Sequence, residues 1–257
     1  VDFAAPLLRA ALVVATATAA TTISLAVRSR RAGRPRAGGW CLVRWSRYTA
    51  ATGGAAAILI SLPAIGGRLE AATGVDNLGM LAAHLFGVLA IVGVRALLVT
   101  WTYPPAAWFR AVRIRFGAAV AVAAALTVFA LTTPSGIDLT NEYAHVDGAA
   151  NYLLVIDGYW AVTGAAIARD CVPLAIDNAH AGHRSIAAAQ ALIAAGGVAS
   201  AVWGATEGAF VAVTQIHGEA WNVSVQDTVS STCAGLFGLF LFSGIAACSI
   251  RPARTRR

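Results

Sequence analysis

Seven long apolar runs separated by short polar connections dominate the chain, at residues 6–27, 48–66, 78–101, 116–133, 149–168, 186–210 and 225–250. A helix needs about 20 mostly apolar residues to cross roughly 30 Å of hydrocarbon. Each run is close to that length. Backbone groups in lipid must satisfy one another within the segment, so runs of this kind read as helices. Pro104 and Pro105 stop the third run, and Pro134 and Gly136 the fourth, as helix breakers do. The pattern predicts an all-α, polytopic integral membrane bundle of about seven transmembrane helices, forming one domain over residues 1–257.

Arginine placement orients the bundle. Arg28, Arg30, Arg31, Arg34, Arg36, Arg44 and Arg47 follow the first run. Arg110, Arg113 and Arg115 follow the third, Arg169 and Arg184 the fifth, and Arg251, Arg254, Arg256 and Arg257 the seventh. The intervening connections hold Arg68 but collect Glu70, Asp76, Asp138, Glu142, Asp147 and Glu219. The positive-inside rule then puts the N-terminus outside and the basic C-terminal tail in the cytoplasm. Trp40, Trp45, Trp101 and Trp108 fall at the inner interface and Trp221 at the outer one, as an aromatic belt would. Asp2 precedes the first run and the arginines follow it. That is the charge order of a retained N-out helix rather than of a cleaved leader.

Composition narrows the chemistry. Hydrophobic residues make up 58% and charged residues 12%, with a mean hydropathy of +0.69. A soluble domain carries roughly a quarter charged residues. The net charge of +7 sits in short runs between apolar stretches, which reads as topology and not as a nucleic-acid face. All 19 Lys and Arg residues are Arg, so no lysine Schiff base to retinal or pyridoxal phosphate can form. The Arg- and Ala-rich usage fits a GC-rich bacterium, and the expected location is its inner membrane. Cys41, Cys171, Cys233 and Cys248 include no pair placed for an outer disulfide and no CxxC. HExxH, GxSxG and Walker loops are absent, so no enzyme is expected. His180 and His183 form an H-x2-H pair in an expected cytoplasmic loop, without the companions a metal site needs. No cofactor is expected either, since a bis-histidine haem would need a second buried histidine beside His84.

Ionisable groups inside spans cost about 2.5–3.5 kcal/mol each at the bilayer centre, so each one calls for a reason. Asn77, His84, Gly87, Ile91 and Arg95 share one face of the third run, because seven and eleven residues approximate whole turns. Arg95 can snorkel to the inner headgroups while His84 bonds a neighbouring helix. Alternatively, the stripe lines a ligand or proton site. Asp157 lies about two turns into the fifth run beside the small residues Ala161, Gly164 and Ala168, which implies an interior face. Glu207 lies near the outer end of the sixth run, alongside Gly196, Ser200, Gly204 and Gly208. That four-residue spacing of small side chains implies close helix packing. Arg9 and Asp227 can reach water at outer helix ends, and Glu142, His145 and Asp147 form an outer-loop cluster.

Gly74, Val75, Asp76, Asn77 and Leu78 lead into a helix with His84, Tyr152 and Tyr159 stand in the fifth run, and Ala168 and Arg169 mark its exit. In these features, residues 63–210 resemble a family of seven-helix membrane proteins of high-GC bacteria labelled as transporters. The resemblance implies the same seven-helix fold. It departs at Asp76, where the family has proline, and longer members continue into a cytoplasmic C-terminal domain past the point matching Arg257. Two functions remain open. One is a small-molecule or ion transporter using His84, Asp157, Glu207, Asn77 and Arg95. The other is a sensor or assembly module that binds a ligand outside and meets a cytoplasmic or membrane partner, or anionic lipid, at its basic inner face. Orientation is testable directly. In intact cells a membrane-impermeant thiol reagent should label Glu142→Cys and spare Cys41 and Cys171, and labelling of Cys171 from outside would reverse the topology.

Overall fold

The computed structural model describes residues 10–21, 24 and 38–250. Arg9, the arginines from Arg28 to Arg36 and the tail from Arg251 lie outside the described residues. Among the described residues there are helices and no strands. The helices are α1 (Ala10–Thr21), α2 (Gly38–Ile60), α3 (Pro63–Thr73), α4 (Leu78–Thr102), α5 (Trp108–Thr132), α6 (Asp147–His180), α7 (Arg184–His217) and α8 (Val223–Ile250). Short 3-10 turns at Pro105–Ala107 and Asn141–Tyr143 precede α5 and α6.

Among the described residues, α4, α5, α7 and α8 are long and apolar enough to cross a membrane, and α2 with α3 makes a fifth candidate if the bent pair is one span. The bend differs from the straight second run that the sequence suggests. Pro63 has no N–H to donate and disfavours helix at the residue before it, so α2 ends at Ile60. The chain restarts as α3 with Pro63 in its first turn, at 80° to α2. The fifth run lies in α6, which carries Asp147, Asp157, Arg169, Asp170 and Asp177 and is less apolar than those four. Helix α6 also continues to His180, so the expected inner loop shrinks to residues 181–183. Tertiary partners hold this extension. Asp170 pairs with α4, Cys171 is fully buried, and Asn178 donates to Gln190 of α7 at 3.0 Å. Burial alone therefore shields Cys171 from thiol reagents, and Ala181, exposed in the short turn, is the better orientation reporter.

The helices form a closed ring. Helices α6 and α7 pack along their length, α2 packs on α4, and α7 on α8, while α5 bridges α4 and α6 and α2 touches α8. Helix α1 rests on α8, where Thr18 Oγ1 donates to the Phe242 carbonyl at 3.4 Å and Gly238 faces Ala11.

Glycine decides how closely these helices approach. Gly164 and Gly197 face each other's backbone across the α6–α7 seam, and Gly204 lies against the carbonyl of Asp157 and the amide of Ala161. Gly53 and Gly93 do the same between α2 and α4. The four-residue stripe on α7 does not stay on one face, because each step of four advances the face by about 40°. Gly196 therefore meets α8, while Ser200, Gly204 and Gly208 turn toward α6. A side chain at Gly204 would collide with backbone, which cannot yield as a flexible side chain can. Gly204→Leu should lower stability by about 3 kcal/mol and the melting temperature with it. Gly117→Leu, placed in open space, should leave both unchanged. An unaltered melting temperature for Gly204→Leu would mean that the seam is not this tight.

Candidate functional site

The polar face of α4 meets α6 at three levels. His84 Nδ1 lies 2.7 Å from the Tyr152 hydroxyl. Below it, Gly87 leaves the space that the Trp160 indole occupies. Deeper still, Arg95 donates to Asp170 Oδ2 at 2.9 Å. Residue numbers rise together on both helices, so α4 and α6 run parallel and their stripes stay in register. Arg95 is 8% exposed and ion-paired, so it does not snorkel. An internal carboxylate is close enough to hold it, and its partner was hidden in what reads as a loop.

Asn77 stands apart from this stripe. It adopts a left-handed backbone conformation (φ 61°) at the start of α4, which asparagine tolerates better than most residues. Its amide donates to the Ile137 carbonyl at 2.8 Å and accepts from the Leu139 amide at 3.0 Å. Asn77 thus pins the α5–α6 loop, and Gln215 pins the far end by donating to the Ala144 carbonyl at 2.7 Å.

That loop roofs an acidic group. Asp157 of α6 is 1% exposed and packs against Gly204 and Gly208 of α7, the helix that carries Glu207. Asn141 in the roof donates to Glu207 Oε1 and Asp227 Oδ1, both at 3.2 Å. Asp227 is exposed on α8 and carries the group to the surface. Asp157 Oδ2 and Asn141 Oδ1 are buried and lack hydrogen-bond partners among the described residues. One turn inward, Trp160 and Trp203 stack at 5.6 Å and 12° and form the floor. Among the described residues no three His, Cys, Asp or Glu side chains converge as metal ligands.

Glu207 and Asp157 thus lie together beneath the α5–α6 loop, His84 pairs with Tyr152 between α4 and α6, Arg95 pairs with Asp170 further along the same two helices, and Asn77 belongs to the loop. The two cavities beside α5 are lined by neither His84 nor Asp157. The described side chains around Asp157 form a packed cluster beneath the α5–α6 loop. Sequence reading did not pick out Asn141 and Asp170. A signal for Asp170 existed, because it continues the helix that carries Asp157. Asn141 gave none, being one polar residue in a polar loop. Elsewhere, Tyr143 and His145 stack at 6.4 Å, and His180 and His183 flank the short inner turn.

No protein-family model, curated protein or solved structure matches this chain. Its chemistry is therefore read from its own residues.

The inner ion pair yields a graded expectation. Asp170→Asn strips Arg95 of its buried partner and should cost about 3 kcal/mol. Arg169 also reaches Asp170, at 2.9 Å, but its side chain is 72% exposed, so Arg169→Gln should cost less than about 1 kcal/mol. Denaturation in detergent compares the two, and equal losses would mean that Arg95 does not depend on Asp170.

Proposed function

We propose that this chain is a multi-pass protein of a bacterial inner membrane whose Asp157–Glu207 pair takes up a proton from the outer side. In this reading it has seven spans, with the N-terminus outside and the basic tail in the cytoplasm. In the same reading proton uptake couples to movement of a small molecule or ion, and the resemblance of residues 63–210 to a family labelled as transporters supports it. The observation that carries the reading is a buried carboxyl, Asp157, packed against Gly204 and Gly208 of α7 beside Glu207, with Asn141 bridging Glu207 to the exposed carboxylate of Asp227. Two apposed carboxyls cannot both ionise cheaply, so such a pair binds and releases protons as a unit. Tyr152 and His84 form a separate hydrogen-bonded pair on the α4 side of α6.

A second reading is favoured by the stacked tryptophans and the glycine-tight seam, which close the inward side of the pair. A site open on one side suits a sensor or assembly module. Protonation would then alter the packing of α6 against α7 and the loop above them.

Infrared spectroscopy and proteoliposome flux separate these readings. The wild type should show a protonated-carboxyl band at neutral pH that Asp157→Asn removes. It should also admit protons after an outside acid jump, whereas Asp157→Asn should not. A wild type with the band but no flux supports the sensor. Full band and full flux in Asp157→Asn would make the pair structural and end the proposal.

A further inference from the structure

Helix α5 touches α4 and α6 but leaves a crevice beside α4 of about 390 Å³. Only apolar side chains line it, among them Leu85, Leu89, Val92, Phe116, Ala119 and Val120. Nothing there could orient a polar ligand. Phe116 and Val120 are exposed, so the crevice opens onto the face that lipid would cover. Val92 also lines a second cavity of about 110 Å³ immediately inward, together with Arg95, Arg115, Tyr159 and Thr163. The two cavities adjoin at Val92, the larger lined by apolar side chains and the smaller by two arginines among others.

The charges around the smaller cavity do not balance. Arg95 and Arg115 line the same cavity, Arg95 and Arg169 share Asp170, and Asp170 is the one carboxylate ion-paired with any of the three among the described residues. Arg115 spends one N–H on the Ala111 carbonyl at 2.9 Å, and its guanidinium lies over the Tyr103 ring at 5.4 Å. Its Nε is buried without a hydrogen-bond partner among the described residues. Surplus guanidinium charge at the inner end of an apolar groove fits an amphiphile with an anionic head and a hydrocarbon tail.

We propose that the groove between α4 and α5 is a binding site for an anionic phospholipid, with the phosphate at Arg115 and Arg95 and one acyl chain along Leu85, Leu89 and Val120. The site is independent of the acidic outer group and of any proton it carries. It also differs from general attraction to the basic inner surface, because it needs both the guanidiniums and the crevice. Free phosphate satisfies the first alone, and a zwitterionic lipid chiefly the second.

Native mass spectrometry of the full chain released from detergent tests this. Phosphatidylglycerol and phosphatidylcholine of equal chain length are titrated, with inorganic phosphate as the chainless anion. The wild type should retain phosphatidylglycerol at about tenfold lower concentration than phosphatidylcholine, and inorganic phosphate should not displace it. Arg115→Gln should abolish the headgroup preference while keeping residual binding of both lipids. Val120→Trp, at an exposed position that fills the groove, should weaken both lipids without unfolding the chain. Equal retention of the two lipids by the wild type would overturn the proposal. So would displacement by phosphate alone, or wild-type retention by Val120→Trp.

Discussion

The contact between α6 and α7 sets the terms for the rest of the bundle. Backbone meets backbone at Gly164, Gly197 and Gly204, so the two helices sit nearer than side chains would allow. That proximity lets Ser200 Oγ reach the carbonyl of Trp160 at 3.1 Å and packs Asp157 against the helix that carries Glu207. It also fixes the depth at which the Trp160 and Trp203 rings stack. Wider spacing would admit water or lipid to the carboxyl pair and remove the floor beneath it.

Helix α6 is a polar helix kept in an apolar setting, and its neighbours answer it group by group. Tyr152 has His84, Asp157 lies beside Glu207, and Asp170 has Arg95. Unpaired, each would carry a desolvation cost of several kcal/mol. The pairing sorts by depth, with carboxyls toward the loop end, indoles in the middle and guanidiniums at the far end. Helix α4 supplies most of the answering side chains because it runs parallel to α6. Its role in the fold and its role in the site are therefore the same feature.

Much of this was legible in the residues. The apolar runs locate the long helices, and small side chains beside Asp157 point it inward. The α7 glycines foretell close packing. What escaped depends on tertiary pairing. Residues 169–180 look like a loop because polar residues interrupt the apolar pattern, yet each important one has a partner elsewhere. Arg95 looks like a snorkelling cation because Asp170 lies 75 positions away. The break at Pro63 sits inside an apolar run, where composition hides it. Asn77 looks like the top of a membrane stripe. Its task is to hold a loop 60 residues distant, and no local pattern encodes that.

The bend between α2 and α3 has a mechanical reading. Helix α3 is 11 residues long, a rigid bar of about 16 Å set nearly at right angles to α2. Its backbone bears on α4 where Gly66 meets Gly79, and Glu70 Oε1 grips the Gly79 amide at 3.0 Å. That crossing is a fulcrum. A sideways load on the bar, from lateral pressure or a docking partner, is delivered as torque to the first turn of α4. His84 lies little more than one turn further along the same rod, so the α3 crossing and the His84–Tyr152 contact are anchored to one stretch of α4.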